Sequence, residues 1–149
     1  MRRIELEGSE ATRSLGRALA EAVRGGLCIL LEGDLGAGKT TLCQGFIEAR
    51  TGIAYAASPT FTLLQAYPGG IYHLDLYRLA HVDLREFDME EIFAPDALLL
   101  VEWPERAVGE WPKERLEIRL GGEGSRRVAE LEAFGPAAGE VLARLGWPL

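Results

Sequence analysis

The chain has 149 residues, 48% hydrophobic and 26% charged, with a formal net charge of −7. Length and composition set the expectation of one globular domain over residues 1–149 with a substantial core. The acidic balance argues against a solitary nucleic-acid binder, whose affinity rests on cations set against phosphates, so a partner should hold any RNA or DNA.

In chain order, Ser9 is placed to cap a helix reaching about Arg24, because Ala11, Leu15, Ala18, Leu19, Ala22 and Val23 recur at helical spacing. Gly25 and Gly26 end it. "LCILLE" (27–32) is a continuous apolar run, the pattern of a parallel strand buried on both faces. "GDLGAGKTT" (33–41) follows and launches a second helix from about Lys39 to Arg50, stopped by Gly52. A loop, "GIAYAASPT", leads to "FTLLQAY", "PGG" and "IYHLDLY", two strand-like runs about a turn, hence a hairpin. In "DLREFDMEEIF", Asp83 stands three residues before Glu86, which predicts a capping-box start to a short acidic helix. "ALLLVE" (97–102) is the second buried strand. "RLEIRL", "GGEGS" and "RRVAELEAF" form a second predicted hairpin, and Pro136 opens a last helix to about Leu145. Strands alternating with helices, with antiparallel additions, predict an α/β fold on a mixed sheet flanked by helices.

No apolar run approaches the length of a membrane span, and "MRRIELEGSE" lacks a signal-peptide apolar region. Cys28 and Cys43 suit neither a zinc spacing nor a disulfide framework, so reduced structural thiols in a cytoplasm are expected.

The stretch from Gly33 to Thr41 fits G-x-x-x-x-G-K-[ST]. Glycines let backbone N–H groups turn inward to form an anion-binding concavity, to which the following helix adds its unpaired N–H groups and dipole. Gly33, Asp34, Leu35, Gly36, Ala37, Gly38, Lys39, Thr40 and Thr41 are therefore expected to cradle a nucleotide's phosphates. Lys39 would reach the β- and γ-phosphates and the Thr40 hydroxyl would ligate Mg²⁺. The chain has 14 arginines and 2 lysines, and one of those lysines falls where a compact point charge is wanted. It has no asparagine, so the Asn-Lys-x-Asp motif that reads guanine cannot occur, and ATP is the expected nucleotide.

Chemistry must come from the surroundings of the loop. Glu102, at the end of "ALLLVE", is a candidate for organising Mg²⁺; its extra methylene relative to aspartate could place it on a metal-bound water. In "HLDLYR", extended geometry puts His73, Asp75 and Tyr77 on one face. Asp75 could position water, bind metal or hold a structural network, whereas His73 alone is more often structural. "SPTFT" offers Ser58, Thr60 and Thr62 as sensors of the γ-phosphate, or a plain Ser-Pro turn. Trp103 is either core packing or an aromatic wall.

"GDLGAGKTT", "SPTFTL", "HLDLYRL" and "LLLVEWPER", in this order and spacing, resemble the bacterial TsaE family, from "EATRSLGRALAEA" through "EWPER"; beyond about Ala107 only the layout matches. The resemblance implies a small ATPase of the P-loop fold, required for threonylcarbamoyladenosine modification of tRNA and working with TsaB and TsaD proteins. It implies that Gly33 to Thr41 hold the ATP phosphates, that Thr40 and Glu102 serve Mg²⁺, that Asp75 is needed for hydrolysis, that Trp103 borders the site and that Thr12 approaches the nucleotide; Lys39, Asp75 and Glu102 are together the expected catalytic residues. A small-molecule kinase and a non-catalytic nucleotide-sensing module are the alternatives. Phosphorylated product would mark the first, and ATP bound but never hydrolysed the second.

Overall fold

The computed structural model describes residues 1–54, 64–77, 82–83 and 89–147. In chain order these form β1 (Arg2–Glu7), α1 (Gly8–Ala22), β2 (Leu27–Glu32), α2 (Lys39–Thr51), β3 (Leu64–Tyr67), β4 (Ile71–Asp75) and β5 (Val82–Asp83). Then follow α3 (Met89–Ile92), β6 (Leu98–Glu102), a 3-10 turn (Pro104–Arg106), β7 (Ala107–Val108), β8 (Arg115–Glu123), β9 (Arg126–Phe134) and α4 (Pro136–Arg144).

The two continuous apolar runs, β2 and β6, pair in parallel at the centre of a seven-stranded sheet of order β1-β9-β8-β2-β6-β4-β3. β8 runs parallel to β2, and β4 parallel to β6. Hairpin partners close both edges antiparallel, β3 on β4 and β9 on β8, with β1 outermost on β9. Alternate residues of the central strands feed different cores. Leu27, Ile29 and Leu31 join the apolar faces of α1, α2 and α4, while Cys28 and Leu30 join Leu74, Ile92, Leu99 and Val101. This is the expected α/β fold with a mixed sheet.

Several local readings are corrected. β1 has no counterpart in the sequence reading, although buried Ile4 and Leu6 alternate with charged residues at the strand period. Because β1 runs straight into α1, the helix begins at Gly8 rather than after a Ser9 cap; the Gly8 N–H is taken by the Ser125 carbonyl (2.8 Å). Asp83 pairs through its backbone with β7, residues 84–88 of the predicted acidic helix lie outside the described residues, and its end, Met89–Ile92, is helical. "RLEIRL" extends to Glu123, so the second hairpin is longer and its turn tighter than expected.

Arginines cap the helix that packs on the phosphate-loop helix. Arg50 donates to the carbonyls of Ala20 (3.2 Å) and Val23 (3.1 Å), and Arg144 to that of Ala22 (2.8 Å), satisfying the acceptors left open at the end of α1. α1 and α2 touch through paired glycines. A Cβ at Gly16 would stand 2.1 Å from the Leu42 carbonyl oxygen, and one at Gly45 would stand 2.1 Å from that of Arg13. Both obstacles are backbone, so neither can yield without moving a helix. Gly16→Ala is therefore expected to destabilise the protein by about 2–3 kcal/mol, the upper range for overpacking. Urea unfolding checks this, and an unchanged midpoint would show that α1 and α2 can separate freely. Among the described residues, no helix is long and apolar enough to cross a membrane.

Candidate functional site

The carboxyl ends of β2, β4 and β6 lie together, with Asp75 in register with Glu102 and Glu102 with Leu31. Ligand crevices of open α/β sheets form at this end of the strands. β2 delivers the chain into the 33–41 loop, where the Ala37 N–H bonds to the Asp34 carbonyl (3.0 Å) and Leu42 makes the first helical bond to Gly38 (2.9 Å). Gly36 (φ 82°) and Gly38 (φ 108°) adopt left-handed conformations that side chains resist. α2 starts without a side-chain cap, which leaves the N–H groups of its first turn directed at the crevice. Thr12 approaches the loop. It is buried on α1, and a Cβ on Gly38 would come within 3.1 Å of its methyl group.

Lys39 is folded into its own loop. Its Nζ donates to the carbonyls of Gly33 and Asp34 (3.0 Å for the latter) and lies 4.0 Å from the centroid of the Trp103 ring. Burial pulls its pKa below the usual lysine range, partly opposed by the carboxylates of Glu102, Glu105, Asp75 and Asp34.

Glu102 is 2% exposed, and both its oxygens are engaged. Oε1 accepts from the Thr40 hydroxyl (2.8 Å), and Oε2 lies 2.7 Å from His73 Nε2. Three elements thus meet at one carboxylate: α2 through Thr40, β4 through His73, and β6. A buried carboxylate held on both sides has a defined orientation, since it cannot rotate away from the crevice without losing a bond.

His73 and Asp75 share a strand face, as alternation requires. Asp75 sits beside Glu102 and accepts a bond from the Tyr77 N–H (3.1 Å). Burial raises its pKa above the usual aspartate range and the Glu102 charge adds to this; the Tyr77 N–H, His73 and Lys39 oppose it. β4 ends at Asp75, so Tyr77 lies just beyond the strand, yet it lines the same crevice as Asp75. Its ring packs 5.0 Å from Trp103, tilted by 42°. Trp103 has φ 60° and ψ 49°, an uncommon conformation for a residue with a side chain, between the fixed Glu102 and Pro104. Its ring walls the crevice between Lys39 and Arg106, whose guanidinium carbon is 5.3 Å from the ring centroid.

The crevice has a volume of about 200 Å³, and Leu35, Lys39, Thr40, Asp75, Glu102 and Trp103 are among the residues that line it. A second cavity, about 270 Å³, lies across the same Gly36–Thr41 backbone and reaches Thr12, Ser125 and Arg127. The Arg127 side chain donates to the Gly36 carbonyl (3.4 Å). Ser125 and Arg127 were absent from the sequence reading; no spacing links them to a loop about ninety residues away, and only the β8–β9 pairing brings that hairpin tip to the phosphate loop. Ser58, Thr60 and Thr62 lie outside the described residues.

A sequence model of the family described as "Threonylcarbamoyl adenosine biosynthesis protein TsaE" matches residues 6–129. The match runs past Ala107 through β8 into β9, so the second hairpin belongs to the family pattern and is more than shared layout. A tRNA threonylcarbamoyladenosine biosynthesis protein TsaE from Nostoc sp. is 39% identical, over 96% of this chain and 93% of its own. Its namesake from Bacillus subtilis is 35% identical, over 80% of this chain and 78% of its own. The crystal structure of Bacillus subtilis YdiB superposes with a TM-score of 0.75 at 30% identity, covering 97% of this chain and 93% of that one. A family match over most of the chain, full-length relatives and a shared P-loop fold agree: the chain belongs to the TsaE family of nucleotide-binding proteins.

Proposed function

We propose that the protein is a Mg²⁺-dependent ATPase, residing in the cytoplasm, that supports threonylcarbamoyladenosine modification of tRNA together with TsaB and TsaD proteins. The observation that carries the reading is the convergence of Lys39, Thr40, Asp75 and Glu102 on one crevice at the strand ends. The threonylcarbamoyl transfer itself belongs to a partner in this scheme.

The residues present fit both ligands. The Thr40 hydroxyl and Glu102 carboxylate are hard oxygen donors, the kind Mg²⁺ takes in small number beside phosphate oxygens and water. Thr40 and Glu102 would hold the ion, whose contribution would be to offset the negative charge of the phosphates. Lys39 already satisfies two carbonyl acceptors, and phosphate oxygens would replace them with a charge-assisted pair. The cavity across the loop, toward Thr12 and Arg127, is the space left for the nucleoside. Asp75 is assigned to the hydrolytic step, because its raised pKa strengthens it as a proton acceptor next to the fixed Glu102.

The Asp75 assignment has a double consequence. Asp75→Asn is expected to lower turnover by about 10²-fold while keeping ATP binding, since a general base contributes on the order of 10²–10⁴. It is also expected to stabilise the ligand-free protein at neutral pH. A carboxyl whose pKa is raised on folding costs no stability below its unfolded value and its full penalty above its folded value. The variant's gain in melting temperature should therefore shrink as pH falls through the carboxylate range. Loss of ATP binding in Asp75→Asn would instead make the residue structural.

Calorimetric titration with ATP, with and without Mg²⁺, tests the reading as a whole. Mg²⁺-dependent binding followed by release of inorganic phosphate is expected. The kinase reading draws on a third cavity, about 370 Å³, beside Pro104, Trp111 and Lys113, which could hold an acceptor. A phosphorylated metabolite would favour it. ATP bound but never hydrolysed, even with partners, would favour a sensing module.

A further inference from the structure

Behind the crevice, three donors of unlike chemistry converge from three elements. Cys43 Sγ on α2, a ring nitrogen of His73 on β4 and a carboxylate oxygen of Glu102 on β6 all lie within 4.8 Å of one another, and all three residues are buried. Zinc ligands stand roughly 2.0–2.3 Å from the metal, which in a tetrahedron separates the donors by somewhat under 4 Å. His73 Nε2 and Glu102 Oε2, now 2.7 Å apart, must separate slightly to admit the ion, and no donor pair has to close from more than 4.8 Å.

Thiolate and imidazole are poor ligands for Mg²⁺ and good ones for Zn²⁺ and its borderline-soft relatives. Charge favours the same choice. One thiolate, one carboxylate and one divalent ion sum to zero, and a neutral cluster is what a buried position tolerates. Of the three donors, Glu102 also lines the crevice, beside Thr40 and Asp75, so the crevice is the side from which an ion and a fourth ligand from water would approach.

We propose that the nucleotide-free protein binds one thiophilic divalent ion of the Zn²⁺ class through Cys43, His73 and Glu102, with a fourth position open to the crevice. On binding, the ion replaces the thiol proton of Cys43, which passes to water; no group is oxidised or reduced. Glu102 gives up its contacts with Thr40 and His73 to the ion, so one carboxylate is shared between this site and the crevice. The inference rests on the three donors and is independent of the ATPase reading. A chain that binds the ion but no ATP would overturn only that reading.

Cobalt is the probe, because Co²⁺ bound by a thiolate gives a near-ultraviolet charge-transfer band. Titrating Co²⁺ into the nucleotide-free full chain should raise that band to saturation at one ion per chain, and Zn²⁺ should bleach it. Cys43→Ser should lose the band, and Cys28→Ser, on β2 in the other core, should keep it. His73→Gln should weaken Co²⁺ binding by at least about tenfold, the smallest loss expected even for a partner outside the ligand set. Absence of the band in the unaltered chain, its persistence in Cys43→Ser or its loss in Cys28→Ser would each overturn the site. Should Cys43→Ser fail to fold by circular dichroism, zinc-edge X-ray absorption of the unaltered chain decides without a variant. One sulfur among nitrogen and oxygen scatterers supports the site, and nitrogen and oxygen alone reject it.

Discussion

Lys39→Ala is expected to abolish ATP turnover, with a fall of about 10²–10³-fold or more, the range for deleting a preorganised group that meets developing charge. The loss should exceed that for an exposed lysine because Lys39 is buried at 4% exposure and already directed at the loop by the carbonyls of Gly33 and Asp34. Its ammonium carries a desolvation cost in the free protein, which phosphate binding would offset. Thr40→Ala should give a comparable loss through another route. It removes the hydroxyl bonded to Glu102 Oε1, so the carboxylate keeps only its His73 contact among those described here. The two variants separate in Mg²⁺ titrations: Thr40→Ala should demand more Mg²⁺ for the remaining rate, whereas Lys39→Ala should not be rescued by it. Thermal melts equal to the parent's establish that the fold is intact. Parent-like turnover in either variant removes the phosphate-loop assignment.

The second large effect is expected from partners. P-loop hydrolysis depends on neutralising charge on the transferring phosphoryl group, and a supplied arginine is worth roughly 10³–10⁵ in rate. Lys39 is the cation placed within the crevice lining. Arg106 is near, but its guanidinium carbon is held 5.3 Å from the Trp103 ring centroid and 5.8 Å from that of Tyr77, and it would have to leave both rings to reach a phosphate. We therefore expect slow turnover by the isolated chain and acceleration by a TsaB–TsaD assembly. The net charge of −7 agrees with this division of labour, in which the partners hold the tRNA. Filter binding at moderate salt should detect no tight complex between the chain alone and tRNA. Tight solitary binding, or fast solitary turnover that partners leave unchanged, contradicts the division.

What sequence conveyed about the site follows how local each signal is. The 33–41 loop was legible because its glycines, lysine and threonines are contiguous and their spacing is itself the mechanism. β2 and β6 were legible because burial on both faces writes an unbroken apolar run. Glu102 could be placed at a strand end, but its clamping by Thr40 and His73 could not, since those residues are 62 and 29 positions away and meet only when β4, β6 and α2 assemble. For the same reason His73 read as a structural histidine, and Arg127 carried no signal at all. The contact between Gly16 and Gly45 was hidden among the 18 glycines of the chain; composition cannot tell a close approach from a turn. β1 was missed although Ile4 and Leu6 alternate as a strand should, because a short run beside a strong helix pattern attracts little weight.

Reconstitution of the modification reaction tests the central claim most directly. The purified chain is mixed with TsaB and TsaD proteins, tRNA, ATP and the precursors of the threonylcarbamoyl group, and phosphate release and modified adenosine are followed together. The account predicts that both rise only when the chain is present, that Lys39→Ala supports neither, and that phosphate release by the chain alone stays slow. Modified adenosine accumulating at an undiminished rate with Lys39→Ala in place of the parent would contradict it.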